Sequence, residues 1–158
     1  MLRPRKDERN SILLRDFETG DQQATRRLIL DGLAERFGTI IEGPNGDLDD
    51  ISSLHRRGRT VVAQSDGEIV AIGSVVRQGN AAQIVRMSVA CEYRRRGLGA
   101  KVLAELIETA RGWRVERVVL ETNSDWLDAI DFYLANGFRI THIARGDYGD
   151  EVWFELKL

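Results

Sequence analysis

Apolar positions along the chain change between strand-like and helix-like spacing, and these changes predict most of its elements. The run SILLRDF at 11–17 is rich in β-forming residues and predicts a first strand. A helix follows and ends at Gly38; its apolar positions are Ala24, Leu28, Leu33 and Phe37. The segment TIIEGPNGDLDD predicts a loop, because it is rich in Gly, Pro, Asn and Asp. A short helix over LDDISSLHRRG is stopped by Gly58.

The middle of the chain predicts a hairpin, a central strand and a long helix. The hairpin consists of two β-rich runs around Asp66 and Gly67, a dipeptide that favours tight turns. The run AAQIVRMSVA at 81–90 is apolar enough for a strand in the middle of a sheet. The helix GLGAKVLAELIETARGW carries one apolar stripe, formed by Leu98, Val102, Leu106 and Ala110.

The last third of the chain completes the predicted fold. A largely buried strand at 115–122 precedes the helix SDWLDAIDFYLANG, which Ser124 or Asp125 caps and Gly137 ends. FRITHIARGDYGDEVWFELKL closes the chain as two strands around the turn GDYGD. The predicted order is therefore β-α-α-β-β-β-α-β-α-β-β. Its hairpins and late β-α-β crossover favour an α+β fold, with a mixed sheet of about seven strands flanked by about four helices.

Composition and charge predict a single soluble, cytoplasmic domain. The chain has 158 residues, and we expect a flexible tail at 1–10 followed by one domain at 11–158. Its net charge of −2 argues against a nucleic-acid partner. No apolar run reaches membrane-spanning length, and the start lacks the apolar segment of a secretory signal. A lone cysteine, Cys91, fits a reducing compartment and is expected to be half-buried. No His, Cys and Asp spacing indicates a metal site.

The stretch YRRRGLGAKVL at 93–103 joins the central strand to the long helix and carries candidate chemistry. A helix N-terminus presents unpaired N–H groups and a positive dipole end, and Gly97 and Gly99 let a ligand approach the backbone closely. Phosphate binding therefore has a physical basis, to which the arginines add charge. The P-loop pattern is missing and the three glycines of a dinucleotide-binding fingerprint are not present. The alternative to phosphate binding is that the three arginines form a solvated charged segment before the helix.

Two motifs in their structural context resemble the GNAT (Gcn5-related N-acetyltransferase) family. A strand ending near Val89 and the pattern [QR]-x-x-G-x-[GA] at Arg94, Gly97 and Gly99 resemble its acyl-CoA-binding motif. A second signature, A-x-x-x-Y-x-x-x-G-F, lies downstream at Ala129, Tyr133, Gly137 and Phe138. The resemblance covers roughly 11–158 and implies the GNAT fold, with acetyl-CoA as cosubstrate and a small-molecule or peptide primary amine as acceptor. Dimers are common in the family, and the sequence leaves the oligomeric state open.

The same resemblance implies which residues meet acetyl-CoA. Backbone N–H groups of the arginine–glycine loop hold the pyrophosphate, the strand end pairs with pantetheine, and the Val89 N–H polarises the thioester carbonyl. The residues implied at the cofactor are Met87, Ser88, Val89, Arg94, Arg95, Arg96, Gly97, Leu98, Gly99, Ala100 and Asn123. The family often has an Asn seven residues before its Tyr, where it contacts pantetheine and where this chain has Trp126. Asn123, three residues earlier, either substitutes for that Asn or the contact is lost.

Catalytic roles fall on Tyr133 and Glu121. The resemblance places Tyr133 at the CoA sulfur, where a phenol donates a hydrogen bond to the leaving thiolate; a packed core aromatic is the alternative. Glu121 is the best candidate base, because the ribosomal-protein N-acetyltransferase branch has a Glu at the matching place and the strand at 81–90 offers no carboxylate. Asp125, His142 and an ordered water remain alternatives to it, and an ordinary surface carboxylate explains Glu121 equally well.

Two loops border the acceptor site in this family, and their residues predict the charge of the acceptor. Both are acidic, and we expect their rim to attract a cationic amine such as a polyamine, an aminoglycoside or a peptide N-terminus. Ordinary solvated polar loops are the alternative. The acidic residues are Glu42, Asp47, Asp49 and Asp50 in the first loop and Asp147 and Asp150 in the second. Tyr148 and Trp126 offer an apolar wall or cover core. A non-catalytic acyl-CoA-binding regulatory module on the same fold is the alternative function.

Overall fold

Seven strands and four α-helices make up the described residues, 11–38 and 46–158, of the computed structural model. The strands are β1 (Ile12–Asp16), β2 (Gly58–Ser65), β3 (Glu68–Gln78), β4 (Ala81–Val89), β5 (Arg117–Asn123), β6 (Arg139–Gly146) and β7 (Gly149–Lys157). The helices are α1 (Gln22–Phe37), α2 (Ile51–Arg56), α3 (Leu98–Gly112) and α4 (Leu127–Ala135). The predicted element order is confirmed. The tail predicted at 1–10 lies outside the described residues.

All seven strands join one mixed sheet in the order β1-β2-β3-β4-β5-β7-β6. Every neighbouring pair is antiparallel except β4 and β5, which are parallel. That parallel pairing ends where Gln83 meets Val119. Beyond this point β4 runs on beside β3 to Val89, while β5 stays beside β7 to Asn123. The sheet therefore opens at its centre into a gap that is about 20 Å long on the β4 side, at about 3.3 Å per residue.

Alternating side chains along the strands build a core on each face of the sheet. On β2, Val61 belongs to the core beneath α3 and α4, and its neighbour Val62 belongs to the core beneath α1 and α2. Leu106 of α3 and Ile29 of α1 are almost completely buried in these two cores. The fold is therefore α+β, with helices on both faces, as the pattern of apolar positions predicts.

Local turn chemistry agrees with the prediction at most element ends. Asp66 and Gly67 both have positive φ, 49° and 80°, which is what a two-residue hairpin turn of this hand requires. Gly38 ends α1 with φ 75°, and Gly137 follows α4 with φ 91°. No helix among the described residues is long and apolar enough to cross a membrane.

The predicted N-cap of α4 is wrong. The capping position is Trp126, no side chain caps the helix, and neither Ser124 nor Asp125 does so. Asn123 explains the difference, because its Oδ1 accepts the Asp125 N–H at 2.9 Å and turns the chain before the helix begins. The local sequence correctly indicated a polar turn here, but the predicted start of the helix was misplaced.

Candidate active site

The gap between β4 and β5 presents an unpaired strand edge. The Ala90 N–H donates to the Val70 carbonyl of β3 at 2.8 Å. Because N–H groups alternate between the two edges of a strand, the Val89 N–H points to the opposite edge, into the gap. The parallel pairing with β5 ended six residues earlier, at Gln83. A backbone donor therefore faces the gap at the residue for which the sequence predicted this role.

The loop from β4 into α3 has the backbone shape of an anion site. Arg95 and Gly97 both adopt left-handed conformations, with φ 60° and 77°. Gly97 is the N-cap of α3, and no side chain caps that helix. Leu98 is buried and anchors the first turn in the core, so its backbone rather than its side chain is available here. First-turn N–H groups and the helix dipole therefore favour an anion at this end of α3.

Gly99 connects this anion site to the gap. A Cβ on Gly99 would lie 3.4 Å from the Phe132 ring of α4 and 3.6 Å from Val89 Cγ2. The start of α3, the end of β4 and the face of α4 therefore meet at one point.

Arg94 is committed to the protein rather than free for a ligand. Its Nε donates to the Val89 carbonyl at 3.0 Å, and its guanidinium pairs with Glu35 of α1 at 2.7 Å. Arg95 and Arg96 are exposed, and the Arg96 guanidinium lies 5.6 Å from the Tyr93 ring centre. These contacts bring Arg94 to the strand end and leave the outer two arginines at the rim of the loop.

Tyr133 is a buried ring with an accessible hydroxyl. The ring is 8% exposed and packs against Phe132, Phe138 and Phe154. Burial raises the pKa of Tyr133 to about 12, and the positive charge of Arg36 offsets part of the rise. No fully buried side-chain oxygen or nitrogen of the described residues lacks a hydrogen-bond partner, so the unbonded Tyr133 hydroxyl reaches solvent. It is therefore a protonated donor at neutral pH.

Glu121 lies close to a second carboxylate. Register pairs Glu121 with Trp153 and Asn123 with Glu151, so these four side chains share one face of the sheet. Glu121 is an exposed residue, but lost hydration where neighbouring groups cover part of its carboxyl group, a hydrogen bond with Glu151 and the charge of Glu151 raise its pKa to about 7. A Cβ on Gly146 would overlap the Glu151 side chain, so glycine at that position leaves room for the carboxylate. A carboxyl group that titrates near neutrality has the property a general base requires.

Three other predicted cofactor residues are placed as follows. Met87 points toward α3, where its sulfur fills the space beside Gly73, and Ser88 points toward α1, with its Oγ 3.0 Å from a Cβ on Gly32. Only the backbone of these two residues therefore faces the gap. The Asn123 amide donates to the Tyr148 carbonyl at 3.0 Å and accepts from Asp125, so it joins β5 to the β6–β7 turn. Its contact with pantetheine stays a prediction.

The last turn of α1 spans the open part of the sheet. Glu35 pairs with Arg94 on the β4 side, and Arg36 forms a two-point ion pair with Asp128 of α4, at 2.6 and 2.9 Å. Two consecutive residues thus link α1 to both sides of the gap. Exposed ion pairs of this kind contribute little stability, about 0.2–1 kcal/mol each. Their main effect is to hold the end of α1 beside β4 and α4.

A cleft of about 460 Å³ lies at this end of α1. Its aromatic residues are Phe37, Trp126 and Tyr148, and its polar residues are Glu35, Arg36, Asn123 and Asp125. We call it the aromatic cleft. The charge of its Arg36 lowers the pKa of Tyr133, which does not itself line the cleft.

Ion pairs neutralise the described aspartates in the first loop of the predicted acidic rim, while among the described residues Asp147 and Asp150 of the second loop form no ion pair. Asp47 forms a two-point ion pair with Arg86 of β4, with one contact at 2.8 Å. Asp49 pairs with Arg26 at 3.4 Å and Asp50 pairs with Arg56 at 3.3 Å. Glu42 lies outside the described residues. The side chains of Asp47, Asp49 and Asp50 therefore hold the α1–α2 segment to its surroundings.

Sequence reasoning missed Glu35, Arg36, Phe37 and Glu151 as site residues. Glu35 and Arg36 look like ordinary surface charges at a helix end, and Glu151 lies in an alternating strand. Only strand register and the path of α1 bring them to the gap. Cys91 is exposed rather than half-buried, and no group of three His, Cys, Asp or Glu residues in the described chain is arranged to hold a metal ion.

Comparisons with known proteins agree with this geometry. A family model described as the acetyltransferase (GNAT) family matches residues 25–138. An acetyltransferase of the GNAT family from Staphylococcus aureus Mu50 superposes with a TM-score of 0.83 at 22% identity, covering 94% of this chain and 99% of that chain. The ribosomal-protein-S18-alanine N-acetyltransferase from Escherichia coli gives 0.74 at 21%, covering 93% and 94%.

A third similar structure was solved with a ligand. The PaiA N-acetyltransferase from Thermoplasma acidophilum, in complex with coenzyme A, gives a TM-score of 0.78 at 15% identity and covers 94% of this chain and 99% of that chain. At such identities these likenesses show the fold alone. No curated protein matches the sequence.

Proposed function

Because the chain belongs to the acetyltransferase (GNAT) family, we propose that it transfers an acetyl group from acetyl-CoA to a primary amine by direct attack on the thioester. One observation carries the proposal. The unpaired Val89 edge and the uncapped N-terminus of α3 lie at the gap in the sheet, Glu121 lies on β5 beyond its last pairing with β4, and Tyr133 follows Phe132, whose ring lies beside Gly99 of α3.

The residues present fit acetyl-CoA as the acyl donor. The first-turn N–H groups of α3, from Leu98 to Ala100, suit its pyrophosphate, and the φ 77° of Gly97 shapes the turn before them. The Val89 edge suits the extended pantetheine, which offers amide groups to an unpaired strand. When bound, acetyl-CoA supplies an activated acetyl group with a thiolate leaving group.

Glu121 is proposed to remove the proton from the incoming ammonium. With a pKa of about 7, about half of this group is ionised at neutral pH and takes up a proton readily. The proton goes to a Glu121 carboxylate oxygen, next to Glu151 on the same face of the sheet. The Val89 N–H is a fixed donor for the oxygen on which negative charge develops.

Tyr133 is proposed to donate its hydroxyl hydrogen bond to the leaving sulfur. The raised pKa, about 12, keeps the phenol protonated throughout the neutral range. Its ring is held by Phe138 and Phe154, so the hydroxyl needs little reorganisation to reach its position. Retention of both Tyr133 and Glu121 favours an enzyme over a non-catalytic acyl-CoA-binding module.

The test is release of free thiol from acetyl-CoA in the presence of a panel of primary amines. We expect amine-dependent turnover, and we expect Tyr133→Phe to lower kcat by about 10²-fold with an unchanged melting temperature. Tight CoA binding without turnover on any amine would support the regulatory module instead. Full kcat in Tyr133→Phe would remove that residue from the mechanism.

A further inference from the structure

We infer that the acceptor is an arylalkylamine, a primary amine joined by a short chain to an aromatic ring, and that its ring binds in the aromatic cleft. The inference rests on the proposed function, because it names the acceptor of that reaction. Four properties of the cleft carry it: surplus aromatic surface, fixed walls, an unbalanced negative charge, and a short distance to the proposed base.

Core packing does not account for the aromatic surface. The rings of Phe37 and Trp126 lie 5.5 Å apart with an edge-on tilt, and those of Phe37 and Tyr148 lie 6.0 Å apart. None of the three residues belongs to either core cluster. Tyr148 is 46% exposed. Three rings that line a cavity outside the core, with Phe37 in contact with the other two, form a surface suited to a planar apolar group.

The walls of the cleft are held in place. The Arg36 guanidinium lies 4.7 Å from the centre of the Trp126 ring, and its other contacts are the two ion-pair bonds to Asp128. Asn123 fixes the backbone of Tyr148 with a 3.0 Å hydrogen bond. A preorganised wall loses little side-chain freedom when a ring binds, which favours affinity.

Charge in and near the cleft favours an ammonium over a carboxylate. Arg36 is paired with Asp128, and Glu35 is paired with Arg94. Those pairs leave the Asp125 carboxylate as the cleft charge that is not balanced by an ion pair among the described residues. The Glu121 and Glu151 carboxyl groups lie further along the same face. A cationic amine is therefore attracted, and an aromatic acid is not.

The distance from cleft to base sets the length of the chain between ring and amine. Glu121 and Asn123 are two residues apart on one face of β5, which corresponds to about 7 Å. Standard bond lengths give about 5 Å between the amine nitrogen and the ring centre for an extended two-carbon spacer. An amine at Glu121 then reaches a ring position beside Asn123, at the entrance to the aromatic cleft.

The experiment compares 2-phenylethylamine with propylamine and spermidine as acceptors at fixed acetyl-CoA. We expect kcat/KM for 2-phenylethylamine to exceed that for propylamine by tenfold or more. Trp126→Ala should remove most of this ratio, with a loss in kcat/KM of tenfold or more for 2-phenylethylamine and a much smaller loss for propylamine. Tyr148→Leu, on the exposed β6–β7 turn, should reduce the ratio in the same direction. Leu127→Ala is the matched control, because Leu127 is 68% exposed and does not line the cleft.

Each outcome decides the inference. Equal kcat/KM values for the aryl and alkyl amines, or an equal loss for both in Trp126→Ala, would overturn it while leaving acetyl transfer intact. Absence of turnover with every amine would overturn the proposed function. In that case, binding of 2-phenylethylamine measured by NMR, lost in Trp126→Ala and kept in Leu127→Ala, still supports the cleft as an aryl-ammonium site. No binding in that assay overturns the inference as well.

Discussion

Glu151 should set the pH at which the proposed base works. Replacing it by Gln removes the carboxyl group that lies beside Glu121, and the hydrogen bond and charge that disfavour its ionisation. Lost hydration, the larger cause, remains in the variant. We therefore expect the pKa of Glu121 to fall from about 7 to about 6, which is closer to the ordinary value of a glutamate.

The size of the effect follows from this difference. At pH 5.5, a base with a pKa of about 7 is about 3% ionised, and one with a pKa of about 6 is about 24% ionised. At pH 5.5 the variant should therefore keep a fraction of its high-pH kcat/KM that is roughly eight times the fraction kept by the parent protein. Above about pH 8 both proteins have an ionised base, so their kcat/KM values should agree.

The assay is the pH profile of kcat/KM with one amine acceptor, so that ionisation of the amine is common to all proteins. Glu155→Gln is the matched control. It removes a carboxylate on the same strand and the same face, which is paired with Arg139 and does not act on Glu121. An acid limb at the same pH in Glu151→Gln and the parent protein would refute the reasoning, while Glu121→Gln separately tests whether the base is Glu121.

Three further predictions concern the framework around the site. Gly58→Ala should destabilise the fold by about 2 kcal/mol or more in urea unfolding, because a Cβ there would overlap a backbone carbonyl oxygen of β3; Gly112→Ala, at a helix position with open space, should be neutral or stabilising. Gly97→Ala, at φ 77°, should cost about 1–2 kcal/mol locally and raise the KM for acetyl-CoA more than that for the amine. Hydrogen bonding to an arginine of β1 lowers the pKa of Asp21, so Asp21→Asn should cost about 2 kcal/mol at pH 7. Because the pKa of Asp21 is lower in the folded state, the stability lost in Asp21→Asn should shrink as pH falls through that pKa. A difference in unfolding free energy that does not change with pH would contradict the role of this ion pair.

Most of the fold could be predicted from local sequence signals. Alternating apolar residues in β2 and β3 around Asp66-Gly67 specify a hairpin from neighbouring residues alone. The stripe on α3 likewise needs only helical spacing and something to pack against. Prediction of the α4 N-cap failed because three polar residues precede this helix and the local sequence does not distinguish between them. Asn123 forms the turn, and its side chain also binds the Tyr148 carbonyl of the β6–β7 turn, which is distant in sequence.

The sequence by itself predicted the turn before α3 as an anion site and Tyr133 and Glu121 as catalytic candidates, because these predictions need only residues that are close together along the chain. Tertiary structure alone decided what surrounds them. Glu35 meets Arg94, and Glu121 meets Glu151, only because α1 crosses the gap and β7 lies next to β5. The same packing paired the aspartates in the first loop of the predicted acidic rim and assembled the aromatic cleft from three separate segments. Contacts of this kind depend on strand register and helix placement, which no short stretch of sequence encodes.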